Sequence, residues 1–242
     1  MIDSKVRISE AAKILGVTSQ TLRNWEKSGK LLSERSAGNQ RYYHLVDLKK
    51  FAVDIEALGM VWATSAIPPE LPIDYYCELP DRFTSRVTKM GMELQGDSRF
   101  SEALDSLITL IASEIGDNSF AHNVGNWPDI SGTFYAYDLK KRVIVIADRG
   151  RGVKATLRQV RPSIVDDQEA LKVAFTEIIS GRNPEKRGQG LKVVLRVLES
   201  REVGLFYRSG IGVVTVPVEK PGYLTIGMAK QNVRGTYCVI KF

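Results

Sequence analysis

Val143-Ile144-Val145-Ile146-Ala147-Asp148-Arg149-Gly150-Arg151-Gly152 is the stretch on which the fold turns. Five apolar, mostly β-branched residues in a row read as a buried strand. An aspartate then ends the run, and two closely spaced glycines follow it. Upstream, Gly132 to Leu139 is a second β-rich run, and Asp138, Lys140 and Lys141 supply the polar turn of a hairpin leading into Arg142 to Ala147. Gly150-x-Gly152-x-x-Ala155 after a strand also fits a dinucleotide fingerprint. In that arrangement a pyrophosphate would meet the turn, where Asp148 is poorly placed. The next strand should then end in an acidic residue roughly 20 positions on, an interval occupied here by a helical pattern.

Working outward, Ser101 to Val124 carries Leu104, Leu107, Ile108, Ile111 and Ile115 at helical spacing and reads as one long helix. On it Glu114 and Asn118 are four residues apart and share a face, with His122 one turn further. A carboxylate and an amide on one line orient water and bind a hard cation; a solvated polar stripe is the alternative. Toward the C-terminus come a helix over Asp167 to Ile179, capped by Asp166 or Asp167, and a glycine-rich charged loop from Ser180 to Gly190. A helix over Leu191 to Ser200 follows, then strands at Val203 to Arg208, Gly212 to Val218 and Gly235 to Phe242. The fold class is therefore α+β, its larger part an α/β sandwich with helices on one face of a mostly antiparallel sheet.

The N-terminus has a different grammar. Ile8 to Leu15 is a short helical run, Gly16 a turn and Thr18 a cap, and a second helix starts at Gln20. This is helix-turn-helix spacing, in which the second helix offers its early residues to the major groove, so Ser19, Gln20 and Arg23 are the candidate DNA contacts. Ala12, Leu15, Val17, Leu22 and Trp25 supply a small core. Thr21, Leu22, Arg23, Trp25, Glu26, Gly29, Lys30 and Leu32, with the later Arg41, Tyr42, Tyr43, Asp47 and Leu48, resemble MerR-like and excisionase-like winged helix-turn-helix domains. That resemblance implies that Arg35 and Arg41 approach DNA phosphates from the wing, with Tyr42 packing nearby. A helix-turn-helix that docks a protein instead of DNA is the alternative. Residues 52 to 66 look too short and irregular for the long dimerising helix of MerR-type regulators, so specific DNA binding calls for a homodimer formed through another surface.

In the larger part, Glu114 and Asn118, the Asp148 to Gly152 turn, Gly188-Gln189-Gly190-Leu191 and Gly235-Thr236 stand in an order that resembles the GHKL superfamily of gyrase, Hsp90, histidine-kinase and MutL ATP sites. The resemblance covers residues 95 to 242 and implies a Bergerat-type sandwich with ATP and Mg²⁺ as cofactors. It implies Glu114 as the catalytic base and Asn118 as the Mg²⁺ ligand. Asp148 then takes the adenine amino group with Thr236 beside it, and Gly150 and Gly152 lie against base and sugar. Gly188, Gly190 and Leu191 form a second glycine box at a helix N-terminus, where backbone N–H groups cradle phosphates. Lys186, Arg187 and His122 add charge near them.

Composition agrees with such partners. Of a net charge of +6 over 242 residues, residues 1 to 50 contribute ten Lys or Arg against five Asp or Glu. No apolar run approaches the roughly 18 residues of a membrane helix, so no membrane partner and a cytoplasmic location are expected. Cys77 and Cys238 have no neighbours at metal-ligand spacing and read as reduced thiols.

The expected organisation is a winged helix-turn-helix over residues 1–60, a linker over 61–90 broken by Ile67-Pro68-Pro69-Glu70-Leu71-Pro72, and an ATP-binding domain over 91–242. The expected function is an ATP-binding transcription regulator of double-stranded DNA, slowly hydrolysing, whose nucleotide state alters dimerisation or DNA affinity. The alternative is a serine/threonine protein kinase resembling anti-sigma factors, acting on a STAS-like or sigma-factor-like protein partner. Either would be a Mg²⁺-dependent ATPase or kinase. Histidine autophosphorylation is not expected, since neither His44 nor His122 stands in a hairpin ahead of the site.

Overall fold

The computed structural model describes residues 5–15, 17–29, 31–36, 38–45, 47–48, 54–177 and 190–242. Strand β6 (Val143–Asp148) is buried at every position, as its unbroken apolar sequence requires. It lies between β5 (Thr133–Asp138) and the long β8 (Thr225–Lys241), with β4 (Tyr76–Cys77) and β7 (Gly204–Val216) at the edges. Every neighbouring pair in this five-stranded sheet is antiparallel. That excludes the dinucleotide reading, which needs a parallel crossover. The two strands expected at 203–208 and 212–218 are one strand that bulges around Gly210.

On one face, Tyr135, Ile144, Ile146, Tyr207, Cys238 and Ile240 pack with α4 (Pro80–Gln95), α5 (Glu102–Asn123), α7 (Asp167–Thr176) and α8 (Gly190–Ser200). Asp166 caps α7, its carboxylate accepting from Glu169 N–H at 2.8 Å. A short helix unforeseen from sequence, α6 (Gly152–Arg158), follows the glycine turn directly.

The opposite face is not bare, which corrects the expectation of helices on one face. Phe134, Ala136, Val145, Ala147, Tyr237 and Val239 are apolar there too, and α3 (Ile55–Thr64) covers them with Ile55, Trp62 and Ala63. The physical reason is the β6 sequence itself: a strand apolar on both sides must be covered on both.

The segment 61–90, expected as a linker, is likewise built into the fold. It holds the end of α3, a 3₁₀ turn at Ile73–Tyr75, β4 on the sheet edge and the first turns of α4. In α4, Pro80 takes the first turn, and Phe83, Val87, Met90 and Leu94 recur at helical spacing and are buried. The prolines interrupt the chain between α3 and the 3₁₀ turn without freeing it.

At the N-terminus, α1 (Ile8–Leu15) and α2 (Ser19–Lys27) form the helix-turn-helix beside a small antiparallel sheet of β1 (Lys5–Arg7), β3 (Arg41–His44) and β2 (Glu34–Arg35). Ala12, Leu15, Val17, Leu22 and Trp25 are buried as expected, and their cluster continues into Trp62, Tyr75 and the apolar back of the large sheet. The 3₁₀ turn makes the polar part of this junction. Tyr75 Oη donates to Leu15 C=O at 3.1 Å, and Asp74 accepts from Thr18 N–H at 3.0 Å and from the Thr21 hydroxyl. No helix among the described residues is long and apolar enough to cross a membrane.

Candidate functional site

The register of the large sheet sets four polar residues side by side across it: Thr133 opposite Asp148, Asp148 opposite Thr236, and Thr236 opposite Ser209. Directly opposed residues point to the same side, here the side covered by α5. All four are buried. Asp148 is the centre. Its Oδ2 accepts from Ser119 Oγ at 2.8 Å and from the Thr236 hydroxyl, and its Oδ1 accepts from Gly150 N–H at 2.8 Å. Burial pushes the carboxyl above its ordinary range, and these donors oppose that shift. The Thr133 hydroxyl has no partner among the described groups.

The turn after Asp148 is held by residues that the motif reading did not pick out. Asn123, one turn beyond Ser119 on α5, donates to Ser119 C=O at 2.7 Å and accepts from Arg151 N–H at 2.9 Å. Ser209 Oγ accepts from Val153 N–H at 2.8 Å and donates to Gly235 C=O at 2.9 Å. Gly235 has φ +67°, and a Cβ there would lie 2.2 Å from Asp148 Oδ1, so glycine is required by both conformation and space. A cleft of about 300 Å³ opens against Gly150, Arg151 and Gly152; Lys154, Asp167 and Arg234 are among its other walls.

Glu114 and Asn118 lie together on α5, as their spacing requires. The first residue of α8 comes against them: a Cβ on Gly190 would sit 2.5 Å from Glu114 Oε2 and 3.2 Å from Asn118 Nδ2. Burial, and secondarily the neighbouring Asp117, raise the Glu114 carboxyl above its ordinary range. His122 is exposed in the last turn of the same helix. Leu191 packs against the core under α8, where it serves the apolar face of that helix. Lys186, Arg187 and Gly188, like the rest of the loop from Ser180 to Gln189, lie outside the described residues.

On the small module, Thr18 caps α2 by accepting from Thr21 N–H at 3.1 Å. Gln20 is exposed and bridges its neighbours, donating to Asn24 at 3.1 Å and accepting from Arg23 at 3.3 Å; Ser19 is half-buried at the helix start. The wing residues are occupied within the chain. Arg41 pairs with Glu26 at 2.5 Å, Arg35 donates to Asn39 at 2.6 Å, and Tyr42 Oη donates to Gln40 at 3.3 Å. Hydrogen bonds from Ser33 and then Arg41 hold the Glu26 carboxyl below its ordinary range.

Sequence reasoning thus missed Ser119, Asn123, Ser209 and Asp167, whose carboxylate accepts from Ile211 N–H at 3.1 Å and pairs with Lys154 at 3.2 Å. Only the polar positions of Ser119 and Asn123 on an otherwise apolar helix face carried a signal. The others are brought in by strand register and helix packing.

Two comparisons bear on identity. The chain is similar to Type II methyltransferase M.Eco47II of Escherichia coli, 44% identical over 52 residues; these cover 21% of this chain, which spans only 12% of that protein. Residues 7–43 match the family described as MerR family regulatory protein, so the helix-turn-helix seen in α1 and α2 is a MerR-like module.

Proposed function

We propose that this chain is a DNA-binding regulator that carries an ATP site in its larger part and changes its DNA affinity or dimerisation with nucleotide state. The MerR-like match supports the DNA half. The ATP half is supported above all by one observation: Glu114 and Asn118 stand close against the first residue of α8, on the same helix whose Ser119 bonds Asp148.

The residues present fit a magnesium nucleotide. Asp148 accepts the exocyclic amine of the base by exchanging one of its two hydroxyl donors, Ser119 or Thr236, and the hydroxyl so released turns toward the ligand. The N–H groups that open α8 would donate to the phosphate oxygens of a bound nucleotide. Asn118 would hold Mg²⁺, which would supply positive charge against the phosphates. Glu114 takes the proton of an attacking water; its raised pKa brings it nearer the range where a base both ionises and binds a proton well. In the small module, Gln20 and Arg23 face outward for base edges, and Arg41 reaches a phosphate by exchanging Glu26 for it.

The test is equilibrium binding of a fluorescent ATP analogue with Mg²⁺. Wild type binds, and Asp148→Asn, which offers a donor where an acceptor is needed, weakens binding at least about tenfold. Glu114→Gln keeps binding while turnover falls by about 10² to 10⁴. A wild type that binds no nucleotide ends this reading. Phosphate transfer to a STAS-like or sigma-factor-like partner is the second reading, favoured by the Glu114, Asn118 and His122 spacing; labelled ATP that appears on such a partner selects it.

A further inference from the structure

Arg149 stands between Asp148 and Gly150, yet its side chain serves the other side of the sheet. It is fully buried, and a buried guanidinium persists only where its donors are satisfied. Nε donates to Asp129 Oδ2 at 2.9 Å, and one terminal nitrogen donates to the same oxygen at 2.5 Å and to Ser65 C=O at 2.9 Å. The other terminal nitrogen donates to Trp62 C=O. The guanidinium also lies 5.7 Å from the centre of the Trp62 ring. Trp62 and Ser65 are at the C-terminal end of α3, where carbonyls lack helical partners and the helix dipole is negative, so Arg149 is in effect the cap of α3.

The helix it caps is joined to the helix-turn-helix. The Trp62 ring packs 6.4 Å from Phe134, and Tyr75 meets Phe134 edge-on at 5.9 Å. Tyr75 and Asp74 hold Leu15, Thr18 and Thr21 at the turn and at the start of α2. At its other end α3 is pinned to the sheet by Tyr237 Oη donating to Glu56 C=O at 2.9 Å. Charge-assisted bonds from the Arg149 side chain thus join the turn after Asp148 directly to the end of α3.

We infer that Arg149 is a positioning residue that couples the Asp148 turn to the DNA-reading module by way of the α3 C-terminus. This rests on the proposed ATP site. Ligand at Asp148 resets the turn that Arg149 is part of, and Arg149 either tightens or releases its hold on Trp62 and Ser65. The state of the module differs accordingly, which is the differential contact that a ligand needs to shift an equilibrium.

The test uses the full chain and a non-hydrolysable ATP analogue with Mg²⁺, read by amide hydrogen exchange over residues 55–77 and by affinity for a labelled mixed-sequence duplex. In wild type the analogue alters exchange over 55–77 and shifts DNA affinity about tenfold, while in Arg149→Met the analogue still binds and the shift falls below about twofold. Asp129→Asn, which removes the guanidinium's carboxylate and leaves Arg149 in place, blunts the shift too and serves if Arg149→Met does not fold. A wild type that binds the analogue without any change at 55–77 overturns the coupling and leaves the ATP site standing. Variants that transmit the shift undiminished overturn the role of Arg149. A wild type that binds no analogue removes the ATP site and this coupling with it.

Discussion

The outward face of α2 and the polar row around Asp148 are both rich in hydrogen bonds, but they are built on opposite terms. Gln20 bonds both Arg23 and Asn24 at the surface, where water replaces any bond that is lost. Asp148, Thr236, Ser209 and Ser119 are buried, and each bond lost there leaves a group with no water to turn to. A surface that must exchange its own bonds for those of DNA is served by the first arrangement. The proposed nucleotide pocket is served by the second, because a poorly matched ligand leaves buried groups unpaired.

Substitutions rank along this difference. Gly235→Ala places a methyl group against Asp148 at positive φ and is expected to destabilise the protein by about 2–5 kcal/mol, measured by denaturant unfolding. An unchanged midpoint would mean that the turn is soft and that the two regions do not differ in kind. Ser119→Ala removes one donor to Asp148 and should cost about 1–2 kcal/mol in the same assay. At the mild end, Arg23→Ala should leave unfolding within about 0.5 kcal/mol of wild type. In a gel-shift series over salt it should weaken DNA binding by about 1–3 kcal/mol if Arg23 reads a base. A large loss of stability from Arg23→Ala would make α2 a docking element and not a reading one.

The same difference explains what was legible from sequence. The helix-turn-helix follows from short-range chemistry: a threonine cap, a glycine turn and apolar residues at helical spacing, all within about 30 positions. The long helix with Glu114 and Asn118 on one face, and the hairpin leading to Asp148, are local in the same sense. The cover of the second sheet face has no local signature, although the unbroken apolar run of β6 calls for it. The residues that supply the cover, Ile55 to Thr64, lie in a stretch whose sequence looks too short and irregular for a long dimerising helix, and the prolines after them read as a break in the chain. Arg149 carries no local signal for a related reason: it stands between two motif residues, and its partners at positions 62, 65 and 129 are distant in sequence.

The sequence by itself determined the MerR-like module, the antiparallel hairpin and the helical stripe, because period, capping and turn chemistry act over a few residues. Only the tertiary structure decided that Ser119 bonds Asp148, that Gly190 closes on Glu114 and Asn118, and that Arg149 caps α3. Those contacts depend on strand register and on helices covering both faces of the sheet, which local patterning does not encode.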